Sequence, residues 1–95
     1  MVVGVLRLAL VLHAPQNLKE KRGVVRRVLD RCRQRFPVSA AEVGQQDLWQ
    51  RCDLGFSLVS TDVALIERTF SKIEEEISAL GVADVTARDS ELLHY

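Results

Sequence analysis

Eight basic side chains fall between Lys19 and Arg35 (Lys19, Lys21, Arg22, Arg26, Arg27, Arg31, Arg33 and Arg35), against two acidic ones, Glu20 and Asp30. A row of guanidinium and ammonium groups at helical spacing neutralises anions, phosphates above all, with little reading of sequence. On a helical wheel Lys19, Arg22, Arg26 and Arg33 form one flank of an apolar stripe, and Arg27, Arg31 and Arg35 form the other. Such like charges repel, each neighbouring pair costing about 0.2–0.5 kcal/mol, so they call for counter-charge. Two sources are open: an anionic partner, or the chain's own Glu67, Glu74, Glu75 and Glu76, with the arginine stems lying over apolar surface.

A second candidate is Trp49 in Gln45-Gln46-Asp47-Leu48-Trp49-Gln50-Arg51. An aromatic ring between glutamines and Arg51 can form an exposed recognition tip. Alternatively Trp49 and Leu48 fold back as a lid on the core, with Asp47 pairing Arg51. The remaining reactive types are sparse. His13 follows an apolar run and has two readings, a base or phosphate contact and, more commonly for a lone histidine, a merely exposed strand end, and His94 has no evident partner. Cys32 sits in the helical apolar stripe, where a thiol packs as a small hydrophobe, whereas the surroundings of Cys52 are ambiguous. Glu74, Glu75 and Glu76 form a solvated run unsuited to acid–base work. No glycine-rich phosphate loop, nucleophile elbow, GxGxxG or metal-spaced His/Cys set occurs. The expectation is a non-enzymatic protein with no catalytic set, no metal and no cofactor.

The 95-residue chain has a formal charge of zero, but the residues outside the basic segment carry five basic against eleven acidic side chains. A basic segment on an acidic remainder suits local binding of a polyanion, and equally self-association of opposite poles. The length supports one core, hence a single domain over 1–95. Arg7 interrupts the first apolar run, so nothing approaches a membrane span of about 20 residues. With no signal-peptide pattern and only two cysteines, a cytoplasmic protein with reduced thiols is expected.

The elements that must position these residues follow from periodicity. Val2–Leu12 alternates Leu6, Leu8, Leu10 and Leu12 with Val3, Val5, Ala9 and Val11, a strand apolar on both faces. Asn17, with Glu20 three residues on, opens a helix whose stripe is Leu18, Val25, Val28, Leu29, Cys32 and Phe36, and Pro37 ends it. Val38–Val43 and Leu54–Ser60 read as strands joined by a polar connection beginning at Gly44. After Ser60-Thr61-Asp62, the residues Val63, Ile66, Phe70, Ile73, Ile77 and Leu80 trace a second helix, stopped by Gly81. Val82–Arg88 is a weaker strand, with Glu91–Tyr95 as its extension or as a short edge strand. The order βαββαβ implies an α+β, ferredoxin-like sandwich: one antiparallel sheet with both helices on one face.

One sheet face is then open, carrying Val3, Val5, Ala9, Val11 and Val59 together with Ser57. An apolar patch there is expected to serve a homo-oligomer, unless Arg7 and polar edge residues break it. The RNA-recognition-motif mode of binding is not expected, because neither central strand shows the pattern of stacking aromatics and Phe56 shares a face with Leu54 and Leu58.

Leu18-Lys19-Glu20-Lys21-Arg22 and Ala41-Glu42-Val43-Gly44-Gln45-Gln46-Asp47-Leu48-Trp49-Gln50-Arg51 resemble the signature of the YlxP-like family, small bacterial proteins of unknown function. The resemblance spans essentially the whole chain. It implies a ferredoxin-like fold, and a gene neighbourhood among transcription and translation factors that points toward RNA or the ribosome. It brings no catalytic residues. The reading that results is an accessory protein contacting structured RNA or the ribosome through Lys19, Lys21, Arg22 and Arg26, with Trp49 and Arg51 as further contacts. Its rival is a homo-oligomeric protein-interaction module with no nucleic-acid role. A small-molecule sensor is a third alternative.

Overall fold

A computed structural model describes residues 1–95. Its elements are β1 (Val2–Leu12), α1 (Leu18–Arg35), β2 (Ser39–Gly44), β3 (Arg51–Ser60), α2 (Val63–Leu80) and β4 (Ala83–His94). The strands form one antiparallel sheet in the order β2-β3-β1-β4. This is the ferredoxin-like arrangement, and each helix starts and stops where its local chemistry dictates. Asn17 Oδ1 accepts the Glu20 N–H at 2.9 Å, and Asp62 Oδ1 accepts that of Leu65 at 3.2 Å. Gly81 closes α2 in the left-handed conformation at φ 69°.

Both helices cover the same sheet face. Leu6, Leu8, Leu10 and Leu12 of β1 meet Cys52, Leu54, Phe56 and Leu58 of β3, under Val25, Val28, Leu29 and Cys32 of α1 and Ile66, Phe70, Ile73 and Ile77 of α2. Gly4 lets α2 come down onto the sheet, since a Cβ there would collide with Ile66 Cγ2 and touch Phe70 Cζ at 3.0 Å. Gly4→Ala is therefore expected to cost about 1–3 kcal/mol through overpacking, read as a lower urea midpoint at unchanged m-value.

Two strand boundaries differ from the sequence expectation. β3 begins at Arg51, three residues before Leu54, because Arg51 and Asp53 occupy open-face positions while Cys52 turns inward opposite Leu10. β4 is one continuous strand, paired along all of β1, with a register shift opposite Ala9 and Leu10. Its side chains are mostly exposed, so pairing holds it where apolar alternation does not.

Candidate anion-binding surface

Of the candidate contacts, Lys21 stands apart. Its side chain is 1% exposed, with Nζ donating to Gln45 O at 2.6 Å and lying 2.9 Å from Glu42 Oε2. The expectation that Lys21 touches a nucleic acid is corrected here. The α1 wheel turns it inward beside Val25 and Val28, and the long stem carries its charge through the core edge to β2. Gln45 has a left-handed backbone (φ 61°), and its carbonyl also accepts the Leu48 N–H at 3.2 Å. Lys21 thus bolts the start of α1 to the β2–β3 turn. Gln50 adds a weaker tie, Nε2 to Pro15 O at 3.4 Å.

The arginines further along α1 are neutralised within the fold. Arg31 Nε and Arg35 Nη1 both reach Glu76, at 2.7 and 3.3 Å, and Arg33 donates to Asp30 at 3.2 Å and to Ala40 O at 2.6 Å. Arg88 holds Glu74 at 2.9 Å, and Arg7 holds Asp53 at 2.9 Å. Lys19, Arg22, Arg26 and Arg27, by contrast, are exposed and make no ion pair. They occupy the half of α1 that Lys21 ties to the turn. Seven basic side chains lack an acidic partner, the other three being Arg51, Arg68 and Lys72, so the four on α1 are the main concentration.

The turn itself projects. Trp49 is 53% and Leu48 44% exposed, so neither folds back as a lid, and Asp47 makes no ion pair with Arg51. Trp49 lies in the turn that Lys21 ties to the start of α1. Arg51 lies beside Val11 on the open face. One feature of α1 escaped the sequence reading. Gly23 sits in mid-helix and exposed, where glycine costs about 1 kcal/mol relative to alanine, and a Cβ would meet nothing within 4 Å. The signal was present in Lys19-Glu20-Lys21-Arg22-Gly23-Val24, but only the open space around it shows that packing does not require glycine.

The open face holds all of Val3, Val5, Ala9, Val11 and Val59, in two groups. Val3, Val5 and Val59 lie toward one end, with Val43 over Gly55 level with Arg7, whereas Ala9 and Val11 neighbour Asp53 and Arg51. The Arg7–Asp53 pair separates the groups, as the alternative reading of this face allowed.

Both thiols are buried. Burial, reinforced by Glu76, raises the Cys32 pKa to about 11, and burial, reinforced by Glu42 and countered by Lys21, raises that of Cys52 to about 12. At neutral pH neither is a nucleophile. Alkylation by iodoacetamide is expected to be slow in the native protein and to reach both cysteines in denaturant, as counted by mass spectrometry. Because the folded pKa values lie above the unfolded 9.0, the native state holds more protons between pH 9 and about 12. The cysteines' contribution to stability is thus constant below about pH 9 and falls above it, and replacing both by alanine flattens that alkaline slope in urea melts.

No helix is long and apolar enough to cross a membrane. Structural similarity shows the fold. The structural-genomics protein YJCS superposes with TM-score 0.57 and 8% identity over 97% of this chain and 99% of its own. A de novo designed protein with a ferredoxin fold, LFR1 1, gives 0.57 and 12% over 100% and 87%. In sequence, an uncharacterised Bacillus subtilis (strain 168) protein, YlxP, is 33% identical over 72 residues, which is 76% of this chain and 78% of YlxP. The model of a protein family of unknown function, DUF503, matches residues 3–90, and the chain belongs to that family.

Proposed function

We propose that this protein is a non-enzymatic accessory factor that contacts structured RNA, free or within the ribosome, in the cytoplasm. One observation carries the reading: in a fold where Arg31, Arg33 and Arg35 meet acidic side chains, Lys19, Arg22, Arg26 and Arg27 are left exposed and unpaired on one half of α1. An exposed cation row without internal counter-charge suits the regularly spaced charges of a sugar–phosphate backbone. Trp49, projecting from the turn that Lys21 ties to the start of α1, supplies an aromatic face for an unstacked base. The acidic remainder of the molecule limits contact to this surface and keeps binding local.

The test is fluorescence anisotropy of labelled structured ribosomal RNA titrated with the protein at two salt concentrations about fourfold apart. Four phosphate contacts predict a log–log slope of about −2.8 to −3.6, hence a roughly 50- to 150-fold loss of affinity across that range. Absence of binding at the lower salt would sink the proposal.

A second reading draws on the exposed Val5, Val43 and Val59, at 38%, 47% and 58%, which run from one end of the open sheet face to its middle. Such a patch suits a homodimer formed face to face. Sedimentation equilibrium is expected to show a dimer that Val5→Asp with Val59→Lys converts to monomer. A wild-type monomer at high micromolar concentration would refute this reading.

A further inference from the structure

We infer that Gly23 is the point at which a ribose–phosphate strand lies directly against α1, a refinement that rests on the RNA reading above. The helix surface around Gly23 is laid out in two halves. On one side are Lys19, Arg22 and Arg26, exposed and unpaired; on the other is a shallow groove lined by Ala14, Pro15, Glu20, Gly23, Val24 and Arg27. Gly23 is the saddle between them. Any side chain there would stand between the cations and the groove, yet nothing inside the molecule occupies the space a Cβ would take. A mid-helix glycine weakens the helix, and here no close packing, positive φ or helix end accounts for it.

The chemistry of the two halves fits the two components of a nucleic-acid backbone. Phosphates run along the Lys19, Arg22 and Arg26 flank, where guanidinium groups meet their oxygens in bidentate fashion. The neutral sugar edge crosses Gly23 toward Ala14 and Val24, which offer apolar contact. In the groove the exposed carboxylate of Glu20 offsets the Arg27 cation, both without an ion pair, so the groove side carries no net charge and phosphate is drawn to the Lys19, Arg22 and Arg26 flank. Bare backbone at Gly23 lets the strand approach closer by the thickness of a methyl group, which strengthens the cation contacts on its flank.

The experiment compares Gly23→Ala with the wild type in two readouts, thermal unfolding and anisotropy on the same structured RNA. Alanine is expected to raise Tm by about 4–6 °C, because it removes the helix penalty without meeting a clash. It is expected to weaken RNA binding about tenfold, and Gly23→Gln to weaken it further. A Tm gain with unchanged RNA affinity in both variants would overturn the role of Gly23 while leaving the RNA reading in place. If charge reversal at Lys19, Arg22 and Arg26 also leaves affinity unchanged, the RNA reading itself fails. A fall in Tm for Gly23→Ala would likewise overturn the inference, since it would mean that the fold needs the glycine.

Discussion

Replacing Lys21 by alanine is expected to cost about 3–5 kcal/mol, a large share of the 5–15 kcal/mol by which a domain of this size is normally stable. The reason lies in what the substitution leaves behind. Glu42 Oε2 is shielded from water, makes no directed hydrogen bond of its own, and depends on the Lys21 ammonium 2.9 Å away. Without that ammonium a buried carboxylate stands uncompensated, and Gln45 O loses its 2.6 Å donor. Replacing both, as Lys21→Met with Glu42→Gln, is expected to recover most of the loss, since an apolar stem and a neutral amide remove the unpaired charge. Urea melts of the two single variants and the pair give the coupling energy directly. A loss below about 1 kcal/mol for Lys21→Ala would mean that the pair is hydrated, and the account of a bolt between α1 and the β2–β3 turn would fail.

The second large effect concerns binding. Reversing Lys19, Arg22 and Arg26 to glutamate is expected to reduce RNA affinity by 100-fold or more near 0.1 M salt and to flatten the log–log salt slope by about 2–3, the share of three phosphate contacts. These three side chains are exposed and bonded to nothing in the fold, so circular dichroism and Tm should change little. A slight rise in stability is expected, because reversal relieves repulsion along the flank. Lys21→Glu would abolish binding for an unrelated reason, by unfolding the domain, and says nothing about contacts. Arg31 and Arg35 provide the internal comparison: both already answer Glu76, so replacing them should perturb the α1–α2 packing more than the salt slope.

Much of the architecture was legible along the chain. The period-two leucines of β1 and the spacing of three and four from Val63 to Leu80 specify their elements, because burial on one face demands those periods whatever lies opposite. The start of β3 is not legible in the sequence: Arg51 and Asp53 are polar because they face out, and a strand with polar outward positions resembles a loop. Nor is the full length of β4, since hydrogen bonding to β1 holds an edge strand whose side chains carry little pattern. Cys52 could not be placed until its opposition to Leu10 made it core.

The candidate surface divides in the same way. Sequence alone determined that the basic side chains share one helix, that they form two flanks, and that Trp49 lies in the connection between the middle strands. These are local facts, fixed by the 3.6-residue repeat and by element order. Only the tertiary structure decided which charges are free, because neutralisation depends on what lies across a gap of about 3 Å rather than on position along the chain. α2 brings Glu76 to Arg31 and Arg35, β2 brings Glu42 to Lys21, and nothing is brought to Lys19, Arg22, Arg26 or Arg27. A row that reads as uniform in sequence becomes one buried bolt, one clamped half and one open cationic face, since electrostatic partnership is settled by packing.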